Sequence, residues 1–243
     1  IPRMTTRLTE LAGAGKIENG AARPGGRRGM GTMRNGGQLL VESLVALGAR
    51  KGFGVPGESY LAVLDALHDT GGQLDFVLCR NEGGAAFMAA AWGKLTGSPG
   101  ICFVTRGPGV TNASIGIHTA MQDSVPILVF VGQVGTDMRG REAFQEIDYR
   151  AVFGTMAKWA VEIDDVARIP EILGRAWVTA TTGRPGPVVI ALPEDMLTAQ
   201  TDVAPLAGPA RVAEPAPAPE AMSEALALLA AAERPLILIA GAN

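Results

Sequence analysis

Cysteine and histidine are nearly missing from this 243-residue chain, which holds two of each. Cys79 and Cys102 lie inside apolar, strand-like runs (LDFVLC and GICFV) without metal-ligand spacing. They read as buried thiols of a reducing compartment and not as a disulfide framework. His68 and His118 are too few for a histidine-based metal centre. Aromatic residues make up only 5% of the chain, and a formal net charge of −3 leaves no basic footprint for nucleic acid. No apolar run approaches the ~18 residues of a membrane span; runs such as 127–131 have strand length. The expectation is a soluble, cytoplasmic protein with neither a nucleic-acid nor a membrane partner.

Glycine is abundant, at 32 residues, and hydrophobic residues reach 47%. Neither glycine nor proline follows a period, which excludes collagen and repeat arrays. Residues 1–36 hold seven basic and two acidic residues with eight Gly, and show no lasting helical or strand period. They are expected to be a disordered leader, with Met30 or Met33 as a more natural start than Ile1. Over 37–200, apolar strands alternate with helical segments of about 10–15 residues. That alternation predicts an α/β fold, doubly wound, with a mainly parallel sheet and helices on both faces. Within it, a loop over 105–109 precedes a helix that runs to about Met121. Residues 201–220 contain five Pro and six Ala, the composition of an extended linker. Beyond it, AMSEALALLAAAE reads as a helix and PLILIAG as a buried strand. Together they would be the truncated start of a second α/β domain over 221–243.

In an open parallel sheet, ligands bind outside the carboxyl ends of the strands. Three strand-end loops stand out: Pro56-Gly57-Glu58-Ser59, Arg80-Asn81-Glu82-Gly83-Gly84, and Thr105 to Asn112. Glu82 begins a helix rich in small residues. It is either a first-turn carboxylate favoured by the helix dipole, or a partly desolvated acid able to share a proton with a ring nitrogen. The small residues either pack on the chain's own sheet or let another surface approach closely. The loop over 105–112 carries neither GxGxxG nor GxxxxGK(S/T), so the dinucleotide and phosphate-loop fingerprints fail. Phe144 to Asp148 follows a long polar loop, a setting in which function is common.

Six segments, in order, resemble one family: FGVPGE (53–58), RNEGGAAFMAAAWGKLTG (80–97), TRGPGVTN (105–112), MQDSVPILVFVGQV (121–134), REAFQEID (141–148) and GRPGPVVIALPEDM (183–196). They are similar to the N-terminal pyrimidine-binding domain of thiamine-diphosphate-dependent enzymes, most of all the acetolactate synthase large-subunit group. The resemblance covers roughly residues 35–243. It implies that Glu82 hydrogen-bonds the aminopyrimidine N1′ of thiamine diphosphate and so promotes loss of the cofactor's C2 proton. By the same matching, Pro56 and Gly57 lie against the pyrimidine, with Val55 beside them. Thr105, Pro108, Gly109 and Asn112 form a second wall. Gln145 reaches the reactive side, and Phe144 lines the substrate channel. Asn81 stands where many relatives carry His, which leaves that residue's role without support.

The family holds Mg²⁺ and the diphosphate through a Gly-Asp-Gly motif on a C-terminal domain, and no such motif occurs in these 243 residues. The resemblance therefore implies a homodimer or tetramer with a shared active site, a 2-keto acid such as pyruvate as substrate, and no activity in this stretch alone. FAD, which several relatives bind in a middle domain, stays open, with Gly-Ala-Asn at 241–243 at best the edge of such a site. Two alternatives to a carboligase also stay open. One is another thiamine-diphosphate decarboxylase or oxidase acting on 2-keto acids, and the other is a non-catalytic α/β binding module.

Overall fold

Asn35 caps the helix Gly36–Leu47 reciprocally. Its side chain accepts the Gln38 N–H at 2.8 Å, and the Gln38 side chain accepts the Asn35 N–H at 3.0 Å. The computed structural model describes residues 32–209 and 216–238. In chain order the elements are β1 (Arg34–Asn35), α1 (Gly36–Leu47), β2 (Lys51–Gly54), α2 (Leu61–Asp69), β3 (Asp75–Leu78), α3 (Glu82–Thr96), β4 (Gly100–Val104) and α4 (Gly107–Gln122). There follow β5 (Ile127–Gln133), α5 (Tyr149–Phe153), β6 (Trp159–Glu162), α6 (Ile169–Thr181), β7 (Pro187–Pro193), α7 (Glu194–Thr198), β8 (Gln200–Thr201) and α8 (Pro219–Ala231).

Six strands form one fully parallel sheet in the order β3-β2-β4-β5-β7-β6. The α/β expectation is therefore met. Alternation along the strands divides the core in two. Ile101, Phe103, Leu128, Phe130, Val188 and Ile190 pack with α1, α2 and α6 on one face. Cys102, Val104, Val129, Val131, Val189 and Ala191 pack with α3, α4 and α5 on the other. Strands β4, β5 and β7 are buried along their whole length, which is why they read as continuous apolar runs. Both cysteines are buried free thiols, and burial pushes the Cys102 thiol far up, so it stays protonated and inert.

Several expectations need correction. Arg34, Asn35 and Gly36, assigned to the leader, belong to the fold. β1 pairs antiparallel with β8, and Gly36 is buried against α7, because an N-terminal cap needs the residues just before its helix. The remainder of the leader, 1–31, lies outside the described residues. Helix α4 begins at Gly107, inside the expected loop, since Pro108 suits the first helical turn, where no N–H is needed. Of the two readings of α3's small residues, packing within this chain accounts for six of them. Gly83, Ala85, Ala86, Ala89, Ala90 and Gly93 are buried, and a Cβ on Gly116 of α4 would stand 2.5 Å from the Ala86 Cβ.

The linker starts as more than a spacer. Val203 and Leu206 pack on the α1/α2/α6 core, and the Leu206 N–H donates to the Ser43 hydroxyl at 3.4 Å. Residues 210–215 lie outside the described part. Helix α8 forms as expected but is exposed throughout. Leu236, Ile237 and Leu238, expected in a buried strand, have no regular structure and are exposed. A single strand without a neighbour has neither ladder partners nor a surface to bury against.

Candidate functional site

The chain runs from β2 to β3 on one side and returns to β4 on the other, so the strand order reverses beside β2. Their carboxyl ends flank the crevice that such a reversal leaves. Gly57 follows β2 and Thr105 follows β4, and the two touch: a Cβ on Gly57 would lie 2.7 Å from the Thr105 Cβ. Glycine is needed there for close approach. The hydroxyls of Ser59 and Thr105 are 2.9 Å apart, with Ser59 fully buried. Beneath them the Tyr60 hydroxyl donates to the Val55 carbonyl, and its ring stacks on Phe103 at 6.1 Å between centroids. Burial first, and then the neighbouring Cys102 and Glu82, push the Tyr60 phenol upward, so it remains a neutral donor.

Glu82 is the first residue of α3 and is half-buried. Asn81 takes the cap position, its side-chain oxygen accepting the Gly84 N–H at 3.2 Å. That accounts for an asparagine before the glutamate. Asn112, in the second turn of α4, donates its Nδ2 to Glu82 Oε2 at 2.7 Å. Glu82 Oε1 faces Gly109, 3.6 Å from where a Cβ on that glycine would sit. The carboxylate is thus fixed through one oxygen at the positive end of the α3 dipole, with the other oxygen left for a ligand. Pro56 and Pro108 are exposed on the rims.

The Gln145 carbonyl accepts the Gly107 N–H at 3.0 Å, which ties the 139–148 loop to the start of α4. Gln145 itself has φ +67°, a left-handed conformation that non-glycine residues seldom adopt. Phe144 beside it is 72% exposed, an unusual position for a phenylalanine. No hydrogen bond among the described residues joins Gln145 to Glu82. The fold therefore gathers Gly57 with Thr105, and Glu82 with Gly109 and Asn112. Gln145 and Phe144 are anchored next to α4 through the main chain alone.

A cavity of about 620 Å³ lies under that loop, lined among others by Gln133, Glu146, Tyr149 and Glu162, but not by Glu82. Ser59 and Arg106 stood in the strand-end loops picked out from the sequence but were given no role there, and Tyr60 was not named. Arg106 left one trace, as a lone charge in the small-residue loop TRGPG. The burial of Ser59 could not be read, because it depends on Gly132, where a Cβ would come within 1.9 Å of the Ser59 hydroxyl.

The site suits the pyrimidine end of thiamine diphosphate on physical grounds. A fixed, half-buried carboxylate with one free oxygen stands beside a glycine whose missing side chain leaves room. Such a donor set can share a proton with a ring nitrogen. Among the described residues, no group of three or more His, Cys, Asp and Glu is placed to hold a metal ion. No helix among the described residues is long and apolar enough to cross a membrane.

Residues 34–152 match the family model described as the thiamine pyrophosphate enzyme, N-terminal TPP binding domain. The chain is 38% identical over 215 residues to the acetolactate synthase isozyme 3 large subunit of Escherichia coli, covering 86% of this chain and 37% of that protein. It is 44% identical over 164 residues to the acetolactate synthase large subunit of Lactococcus lactis, covering 68% and 28% respectively. To the probable acetolactate synthase large subunit of Methanocaldococcus jannaschii it is 39% identical over 212 residues, covering 85% and 36%. The chain thus spans 28–37% of the length of these relatives.

Proposed function

Since the chain belongs, through its N-terminal TPP-binding domain, to the thiamine pyrophosphate enzymes and has acetolactate synthase large subunits as homologues, we propose that it forms the pyrimidine side of a 2-keto acid carboligase. The observation that carries this reading is the Glu82 carboxylate, held by Asn112 at 2.7 Å with its second oxygen facing Gly109. When bound, thiamine diphosphate supplies the carbanion chemistry by which a 2-keto acid such as pyruvate is decarboxylated and joined to a second keto acid.

The protein's part is positioning and proton control. Glu82 holds a proton shared with the pyrimidine ring nitrogen, and Asn112 keeps the carboxyl oriented for it. Pro56 and Gly57 form one wall, Thr105, Pro108 and Gly109 the other. Gln145 and Phe144 stand on the side from which substrate arrives. Mg²⁺ and the diphosphate are partners of residues other than these. FAD is compatible with the reading and not required by it.

Large apolar side chains remain exposed on α3 and α4: Phe87, Met88, Leu95 and Ile115. They support a homodimer or tetramer in which a second subunit closes the open Glu82 face and completes the cleft. The 243-residue stretch is then inactive alone.

The test is turnover of pyruvate with thiamine diphosphate and Mg²⁺ by the full-length protein and its Glu82→Gln variant. The variant is expected to lose roughly 10²–10⁴-fold in activity, the usual contribution of a positioned acid or base, with an unchanged melting curve. Equal turnover by both proteins removes Glu82 from the chemistry. No turnover by the wild type returns the chain to a binding module, and activity in the 243-residue stretch alone refutes the shared site.

A further inference from the structure

Arg106 is the only charged side chain in the buried class among the described residues, at 7% exposure. Its Nη2 donates to Glu194 Oε2 at 2.7 Å, and its Nη1 lies 3.8 Å from Glu58 Oε1. Its Nε is buried with no hydrogen-bond partner among the described residues. The three residues follow three different strands: Glu58 stands in the turn after β2, Arg106 in the loop after β4, and Glu194 directly after β7. One guanidinium thus spans the carboxyl-end rim of the sheet, passing the end of β5, which lies between β4 and β7.

The sheet has no need of this charge for its own stability. Glu58 and Glu194 keep 75% and 49% side-chain exposure and could be solvated by water, while burying the arginine is costly. A long apolar side chain would fill the same space at little or no loss. What the guanidinium adds is direction: its planar fork fixes the Glu194 carboxylate by a hydrogen bond and draws that of Glu58 by charge at 3.8 Å. Of the segments so joined, the 105–109 loop borders Glu82 through Gly109, and the 55–58 turn meets that loop at Thr105. Glu58 directly follows Gly57, and Arg106 lies between Thr105 and Gly107. The Ser59–Thr105 hydroxyl pair is a second tie between the same two segments.

We propose that Arg106 is a positioning residue, a brace that holds the 55–58 turn and the 105–109 loop at fixed separation through Glu58 and Glu194. The crevice beside Glu82 is then preformed before any ligand enters. Preformed walls lower the ordering cost of binding, so the brace acts on affinity more than on stability. The brace concerns this chain's own loops; only its consequence for thiamine diphosphate rests on the functional reading above.

The experiment compares full-length wild type with Arg106→Met, Arg106→Lys, Glu194→Gln and the Arg106→Met/Glu194→Gln double variant. Two quantities are read: amide hydrogen exchange over 53–60 and 105–112 without ligand, and the Kd for thiamine diphosphate with Mg²⁺ by calorimetry. Arg106→Met is expected to melt close to wild type, to speed exchange in both segments at least tenfold, and to raise Kd about tenfold. Arg106→Lys recovers part of both effects. Glu194→Gln reproduces part of them and adds nothing on top of Arg106→Met, since the two act as one unit. Unchanged exchange over 53–60 in Arg106→Met overturns the brace, as do effects of the two substitutions that multiply in full. Should Arg106→Met not fold, Arg106→Lys and Glu194→Gln decide by the same comparison. If wild type binds no thiamine diphosphate the functional reading falls, while the exchange data still judge the brace.

Discussion

A carboxylate is useful to a cofactor only if it is held still and kept from full hydration, and Glu82 meets both conditions through its neighbours. Removing the Asn112 amide frees one carboxylate oxygen without touching the core. Asn112→Ala in the full-length protein is expected to raise the thiamine diphosphate Kd several-fold and to lower kcat further, with the melting temperature unchanged. Calorimetry and steady-state rates check this, and an unaltered kcat would show that Glu82 needs no such holder. Asp195 shows the opposite use of a carboxylate. Burial by itself would raise its pKa, but hydrogen bonds from the Thr136 hydroxyl and from the N–H groups of Thr136 and Met196 outweigh burial and hold it below the usual range. A depressed folded-state pKa gives stability that is complete above the unfolded value of about 3.9 and fades as pH falls through the folded value. Wild type should therefore melt above Asp195→Asn at neutral pH, with the gap closing as pH drops below about 4. A gap independent of pH would deny the linkage.

At the scale of elements, the close crossing of α3 on α4 places Asn112 within reach of Glu82. Gly116 allows it, since a Cβ there would meet the Ala86 Cβ at 2.5 Å and backbone at 2.9 Å. Gly116→Ala is expected to destabilise the fold by about 1–3 kcal/mol in urea unfolding, the usual range for overpacking. A neutral result would mean that the helices can part without cost. The loop over 139–148 depends on Glu146, whose carboxylate accepts the Gly140 N–H at 2.7 Å and the Ala143 N–H at 3.2 Å. These bonds sustain left-handed backbone at Glu142 and Gln145, each costing about 1–3 kcal/mol. Glu146→Ala should therefore be cut by trypsin at Arg139 and Arg141 several times faster than wild type, with Glu146→Gln in between. Equal cleavage would move the loop's support elsewhere.

For the whole molecule, the open Glu82 face and the apolar side chains on α3 and α4 bear on one question, the state of assembly. Phe87 is 42% exposed and Leu95 86%, on a helix that buries Gly83, Ala85, Ala86, Ala89, Ala90 and Gly93 within this chain. Phe87→Glu in the full-length protein is expected to shift sedimentation velocity toward a smaller species and to remove turnover with it. An unchanged sedimentation coefficient would place the contact on another face.

The strand and helix alternation over 37–200 was legible in advance because β4, β5 and β7 are buried on both sides and had to be continuous apolar runs. Glu82, Gly109 and Asn112 could be named in advance as residues of strand-end loops, where ligands of a parallel sheet bind, but a role for each came only from the family resemblance. The role of α3's small residues was not legible, because Ala and Gly fit equally well against a sheet, a sister helix or a second subunit. Nor was the edge of the fold at Arg34, which depends on pairing with Gln200 and Thr201 far along the chain. Arg106 shows the limit most plainly. Its segment is local, but the carboxylates that give its charge a purpose lie 48 residues before it and 88 after. Local order and the kinds of residue at the strand ends follow from sequence, as both rest on short-range sterics and hydrophobic patterning. Which of those residues meet was decided by the order of strands in the sheet, a property of the folded chain alone.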